Sequence, residues 1–159
     1  MLKKNLILTI VSLIILLTMS STLVIEHTFN HKPCNLCLYE RIPYIISAVL
    51  IVKIFLFKKY EKIILFILFL VFLASVALAF YHFGIEQGFF NESVVCNTEN
   101  QSLILSKEQL LKELNESFVS CKEVSFRILG LSLAAINTIL SLILSVIFFI
   151  LFLNYGKNR

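Results

Sequence analysis

The sequence predicts an all-α integral membrane protein, a four-transmembrane-helix bundle with a short amphipathic helix in its second outer loop. Three observations carry this. Of 159 residues, 58% are hydrophobic and only 15% are charged. Soluble domains are about half apolar and a quarter charged. The apolar residues fall in long runs, most of them near the roughly 20 residues a helix needs to cross a bilayer. The basic residues cluster beside those runs. A net charge of +4 arranged that way does not read as a nucleic-acid surface.

The first run covers residues 5–25, behind Lys3 and Lys4. A cleaved signal peptide is the alternative, because the positive start and the small residues Ser20 and Ser21 resemble one. The length of the run favours a span. The second run, 42–57, is short, but residues 36–39 can add a turn at the interface. Pro43 suits a first helical turn, where its missing N–H costs little. Lys53 lies inside this run and is expected to snorkel toward Lys58 and Lys59. The third run is 63–83 and the fourth is 128–153. In the fourth, Asn137, Ser141 and Ser145 recur every four residues, so they share a face that suits hydrogen bonding to a neighbouring helix. The whole chain, 1–159, then forms one membrane domain. Its outer loops are 26–41 and 84–127, and its inner loop is 58–62.

Orientation follows from basic residues near the spans. Lys3, Lys4, Lys58, Lys59, Lys62, Lys157 and Arg159 share about 15 loop and tail residues on one side. Lys32, Arg41, Lys107, Lys112, Lys122 and Arg127 are spread over about 60 on the other. The denser side is expected to be cytoplasmic, with both termini there. Tyr39, Tyr44, Tyr60, Tyr81 and Tyr155 fall at predicted span ends, as an interfacial belt requires.

The long outer loop has its own pattern. Ser106 to Gln109 reads as a capping box. Leu110, Leu111, Leu114 and Phe118 then share one helical face, suited to the membrane surface or to the top of the bundle.

All four cysteines fall on the outer side, where disulfides persist. Cys34 and Cys37 sit three apart before a predicted helix, with Arg41 four residues on. A helix N-terminus and a nearby cation both favour thiolate over thiol, which suits an exchange centre. An inert structural disulfide is a second reading. A zinc site is a third, although Cys96 and Cys121, 25 positions apart, lack the usual close pairing of ligands. Two dithiols on two loops suggest a relay through mixed disulfides. The pair on the long loop would face a partner protein, and the pair at the membrane surface would face an acceptor dissolved in lipid. Arg41 suits a developing negative charge on such an acceptor, or it anchors its helix. His82, with Glu86 four residues on, can face the same site.

The run Lys32-Pro33-Cys34-Asn35-Leu36-Cys37-Leu38-Tyr39-Glu40-Arg41 resembles the signature of the disulfide-bond formation protein B (DsbB) family, quinone-linked oxidoreductases of bacterial inner membranes. Residues 81–87, before the third cysteine, and 126–132, after the fourth, extend the likeness over nearly the whole chain. The family is known from the DsbA–DsbB–quinone route that keeps the periplasm oxidising.

The resemblance implies roles. Cys96 would accept attack by a periplasmic thioredoxin-fold oxidase of DsbA type. Cys121 would exchange with Cys34. Cys37 would pass electrons to ubiquinone or menaquinone, with Arg41 and His82 nearby. No metal cofactor is implied. The enzyme would support disulfide-bond formation in exported proteins. Rival readings are a non-catalytic scaffold stapled by disulfides and an enzyme similar to the vitamin K epoxide reductase group.

Overall fold

The computed structural model of the chain describes residues 2–28, 33–91, 96, 120–122, 127–128 and 130–156. It is mostly helical. Helix α1 is Leu2–Thr28, α2 is Asn35–Tyr39, α3 is Arg41–Leu56, α4 is Glu61–Glu86 and α5 is Leu133–Leu153. Among the described residues, three segments are long and apolar enough to cross a membrane: Lys4–Thr28, Lys58–Glu86 and Leu133–Leu153. Helix α3, at 16 residues, is shorter. It continues almost directly from α2, because the intervening Glu40 keeps helical dihedrals and its N–H bonds back to the Leu36 and Leu38 carbonyls. The predicted loop helix around residues 106–118 lies outside the described residues.

Boundaries differ from expectation in two places. The loop expected at 58–62 is a tight 3-10 turn, Lys58–Tyr60, and α4 begins at Glu61, two residues before the apolar run. The fourth apolar run does not start as helix. Arg127–Ile128 (β1) pairs antiparallel with Leu131–Ser132 (β2), with Arg127 opposite Ser132. Gly130 turns the hairpin at φ 85°, a conformation that favours glycine. Ser132 then caps α5, its Oγ accepting from the Ala135 N–H at 3.2 Å, as an N-cap serine does.

The core is a seam between helices. Buried positions of α4 include Glu61, Leu65, Leu68, Phe72, Ser75, Ala79 and His82, alternating by four and three residues as knobs-into-holes packing requires. Ser141, Leu144, Ser145, Phe148 and Leu151 of α5 are also buried, and α4 with α5 forms the most extensive helix pair. The Phe72 and Phe148 rings stack at 5.5 Å, with Tyr44 edge-on to Phe72 at 5.7 Å. Helix α3 packs on α4 and α1 packs on α3, through Leu8, Val11, Ile15, Ile51 and Ile54. Outward positions such as Leu17, Leu56, Ile63 and Leu153 are large, apolar and exposed, a surface suited to lipid and not to water.

Polar residues tie the seam. The Tyr44 hydroxyl donates to Asn137 Oδ1 at 2.5 Å and lies 3.3 Å from Ser141 Oγ, which lies 3.0 Å from Ser75 Oγ. The serine stripe of α5 therefore bonds α3 and α4. Lys53 is exposed in the last turn of α3. At one end of the bundle, Lys4 pairs with Glu61 at 2.5 Å and lies over the Tyr155 ring. Those residues come from the starts of α1 and α4 and from just past the end of α5. The cysteines gather at the opposite end.

Candidate functional site

Cys34 is the N-cap of α2. Its extended backbone (φ −72°, ψ 166°) turns its sulfur over the first turn, where it accepts from the Cys37 N–H at 3.2 Å. Cys34 and Cys37 are joined as a disulfide, and so are Cys96 and Cys121. The two bridges share one buried cluster. Cys34, Leu36, Ile85, Cys96 and Cys121 form it, with Cys37, Leu78 and Tyr81 packed against it. The long-loop pair, expected to face a partner, is here covered: Cys96 is 4% exposed and Cys121 1%. Cys37 is the less buried sulfur of the first pair.

The end of α4 is shaped to make this cluster. The Gly84 carbonyl accepts from the N–H groups of Phe89 and Phe90, and Gly88 takes φ 78°. The chain thus folds back after Glu86, and Phe90 lies 5.6 Å from the Tyr81 ring. A Cβ at position 84 would meet the Phe90 ring, so the glycine allows the close approach.

His82 is buried beside the first disulfide. Its Nε2 lies 3.5 Å from Cys34 Sγ, and its Nδ1 lies 2.7 Å from Glu40 Oε1. Glu40 is itself buried, and its Oε2 accepts from Asn137 Nδ2 at 2.6 Å. A carboxylate accepts only, so Nδ1 carries the proton and, in the neutral ring, Nε2 turns its lone pair to the sulfur. With Cys34 reduced, that nitrogen would accept from its thiol. Glu86 approaches from the same helix, Oε1 lying 3.9 Å from His82 Nε2. The donor atoms of Cys34, Cys37 and His82 all lie within 4.8 Å of one another. In the disulfide state the sulfurs are bonded to each other and are not thiolate ligands.

Arg41 points elsewhere. Its Nη2 bonds Glu26 Oε2 of α1 at 2.8 Å, both side chains partly exposed. The structure therefore brings the four cysteines and His82 together and places Arg41 at the α1–α3 contact, next in sequence to the buried Glu40. Sequence reasoning singled out neither Glu40 nor Glu26. A carboxylate heading an apolar run was the available signal for Glu40. For Glu26, at the far end of the first run, it was the same signal.

The sequence model of a family described as disulfide bond formation protein DsbB matches residues 4–151. The chain is also 30% identical over 157 residues to Uncharacterized protein RP370 of Rickettsia prowazekii (strain Madrid E). That alignment covers 98% of this chain and 89% of the relative. No solved structure matches the chain.

Proposed function

The chain belongs to the disulfide bond formation protein DsbB family, and from that premise we propose that it is a quinone-dependent thiol–disulfide oxidoreductase that reoxidises a periplasmic thioredoxin-fold oxidase of DsbA type. The observation that carries this reading is the shared cluster of both disulfides with Cys34 beside buried His82. A scaffold stapled by disulfides gives no reason for a histidine held by a carboxylate against one sulfur.

In this reading α1, α2 with α3, α4 and α5 cross the bacterial inner membrane, the cysteine end faces the periplasm and both termini are cytoplasmic. Lys4, Lys58, Lys59 and Lys62 at the Lys4–Glu61 end support that orientation. A thiolate of the partner attacks Cys96, and Cys121 leaves as thiolate. Cys121 then attacks Cys34, and Cys37 leaves as thiolate. Each step breaks one S–S bond and forms another. Access to Cys96 requires its sulfur to be uncovered from Ile85 and Leu36. The partner's second thiolate attacks its own sulfur in the mixed disulfide and frees Cys96, which attacks Cys121, restores the Cys96–Cys121 bond and releases Cys34, leaving Cys34 and Cys37 as the dithiol to be reoxidised.

A quinone supplies a sink for two electrons and two protons. The residues fit such an acceptor at Cys37. This sulfur is only partly buried, and Leu38, Tyr39 and Ile42 beside it are exposed apolar surface that a lipid-soluble ring can reach. Arg41 supplies the cation nearest in sequence, and His82 holds its proton-bearing ring beside Cys34. The overall change is partner dithiol to disulfide and quinone to quinol.

Trapping tests the partner half. With Cys121→Ser, Cys96 lacks its exchange partner and is expected to accumulate in a mixed disulfide with a thioredoxin-fold protein. Recovery of no such adduct from membranes containing folded protein would count against the reading.

A further inference from the structure

Glu86 brings a second carboxylate to the side of His82 that faces the sulfurs. Its side chain is only 6% exposed, and its Oε2 is buried with no hydrogen-bond partner among the described residues. The Ser132 hydroxyl hydrogen-bonds the Glu86 carboxyl and the Arg127 charge acts on it. A buried carboxylate oxygen short of donors is costly, and Oε1 of the same group lies 3.9 Å from His82 Nε2, within reach of a cation held there. Glu40 meanwhile holds His82 Nδ1, and Asn137 holds Glu40. A carboxylate on the far nitrogen is how proteins orient histidine ligands. The Cys37 N–H already donates to Cys34 Sγ, a bond that also suits a thiolate ligand.

We propose that the reduced Cys34–Cys37 dithiol, with His82 Nε2 and the Glu86 carboxylate, takes one soft divalent cation of the zinc class, and that the ion holds the pair reduced. Binding releases the two thiol protons and forms two metal–sulfur bonds, one metal–nitrogen bond and one metal–oxygen bond. No electrons move. Cys34, Cys37 and His82 already hold their donor atoms within 4.8 Å of one another; Glu86, outside that group with Oε1 3.9 Å from His82 Nε2, moves in to complete a tetrahedral set that zinc accepts, and thiolate donors disfavour magnesium and calcium. The disulfide form offers no thiolates, so the site exists only in the reduced half of the cycle. There it withdraws both sulfurs from exchange and arrests turnover. The inference rests on the reading that this pair cycles between its two redox states.

The test is a zinc titration against a chromophoric competitor. It uses detergent-purified Cys96→Ala/Cys121→Ala protein, reduced with a phosphine without air, beside the oxidised form. The reduced chain is expected to bind one zinc and the oxidised chain none. Cobalt(II) in place of zinc should give thiolate-to-metal charge-transfer absorption. His82→Ala, which removes a ligand, should weaken binding by at least the roughly 10–100-fold that loss of an outer-shell partner costs, and Glu86→Gln should weaken it by less. The same titration on the four-cysteine chain, with and without His82→Ala, serves if the double substitution impairs folding. Equal binding by both redox forms, no binding by the reduced form, or affinity unchanged by both His82→Ala and Glu86→Gln would overturn the proposal. Quinone reduction in metal-free buffer is read separately. Its absence would remove the functional reading while the titration stood, and a failed titration with intact turnover would remove only the metal site.

Discussion

Glu40 and His82 are joined by a 2.7 Å hydrogen bond between the turn that follows the Cys-x-x-Cys motif and the C-terminal end of α4. The second oxygen of Glu40 takes Asn137 of α5 at 2.6 Å, so one carboxylate fixes three segments around Cys34. Replacing it with alanine leaves the buried His82 donor and the partly buried Asn137 donor unpaired, at up to about 1–3 kcal/mol each. Glu40→Ala is expected to lower the thermal midpoint in detergent, followed by circular dichroism. Glu40→Gln, which keeps one carbonyl acceptor, should fall between it and the parent.

Arg41 and Glu26 form a partly exposed pair, worth up to about 1 kcal/mol. Glu26→Gln is expected to change stability by no more than that. Arg41→Met should raise KM for quinone while the fold survives. Unchanged KM and kcat in that variant would leave Arg41 as an anchor between α1 and α3.

Gly84 lies against the Phe90 ring. Gly84→Ala inserts a methyl into that contact and is expected to destabilise by about 1–3 kcal/mol. Phe90→Ala in the same chain should relieve the clash. Unfolding of the two single variants and the double variant gives the coupling.

Tyr44, Asn137, Ser141 and Ser75 link three helices. Interhelical hydrogen bonds in membranes average about 0.6 kcal/mol, so Ser141→Ala should cost about that much. Asn137→Leu should cost more, because it also strips the donor from Glu40 Oε2. The same unfolding measurement ranks them.

The long helices are legible in the sequence because lipid demands uninterrupted apolar runs. Their inner faces are not legible by hydrophobic periodicity, since lipid-facing positions such as Ile63 and Leu153 are as apolar as buried Leu65 and Leu144. Small and polar residues mark the inside instead. Ser75, His82, Ser141 and Ser145 are all buried, and the α5 stripe was readable for that reason. The start of α5 was hidden by the apolar run that begins at Ile128, because Ile128 and Leu131 pair in a hairpin instead. Gly130 and Ser132 were the signals against helix there. The Glu40–Asn137 bond joins positions 97 residues apart, and local pattern says nothing about such a pair. Burial of Cys96 and Cys121 beside Cys34 is equally a product of long-range packing, so the sequence suggested only that these cysteines lie on the same side.

The most direct measurement is turnover in purified protein, with a reduced thioredoxin-fold donor and ubiquinone or menaquinone, following donor thiols and quinol together. One quinol is expected per donor disulfide formed. Substitution of Cys34, Cys37, Cys96 or Cys121 by serine should each abolish that coupling while the helical spectrum persists. Folded parent protein that reduces neither quinone with any such donor, or a Cys34→Ser variant that turns over like the parent, would contradict the account.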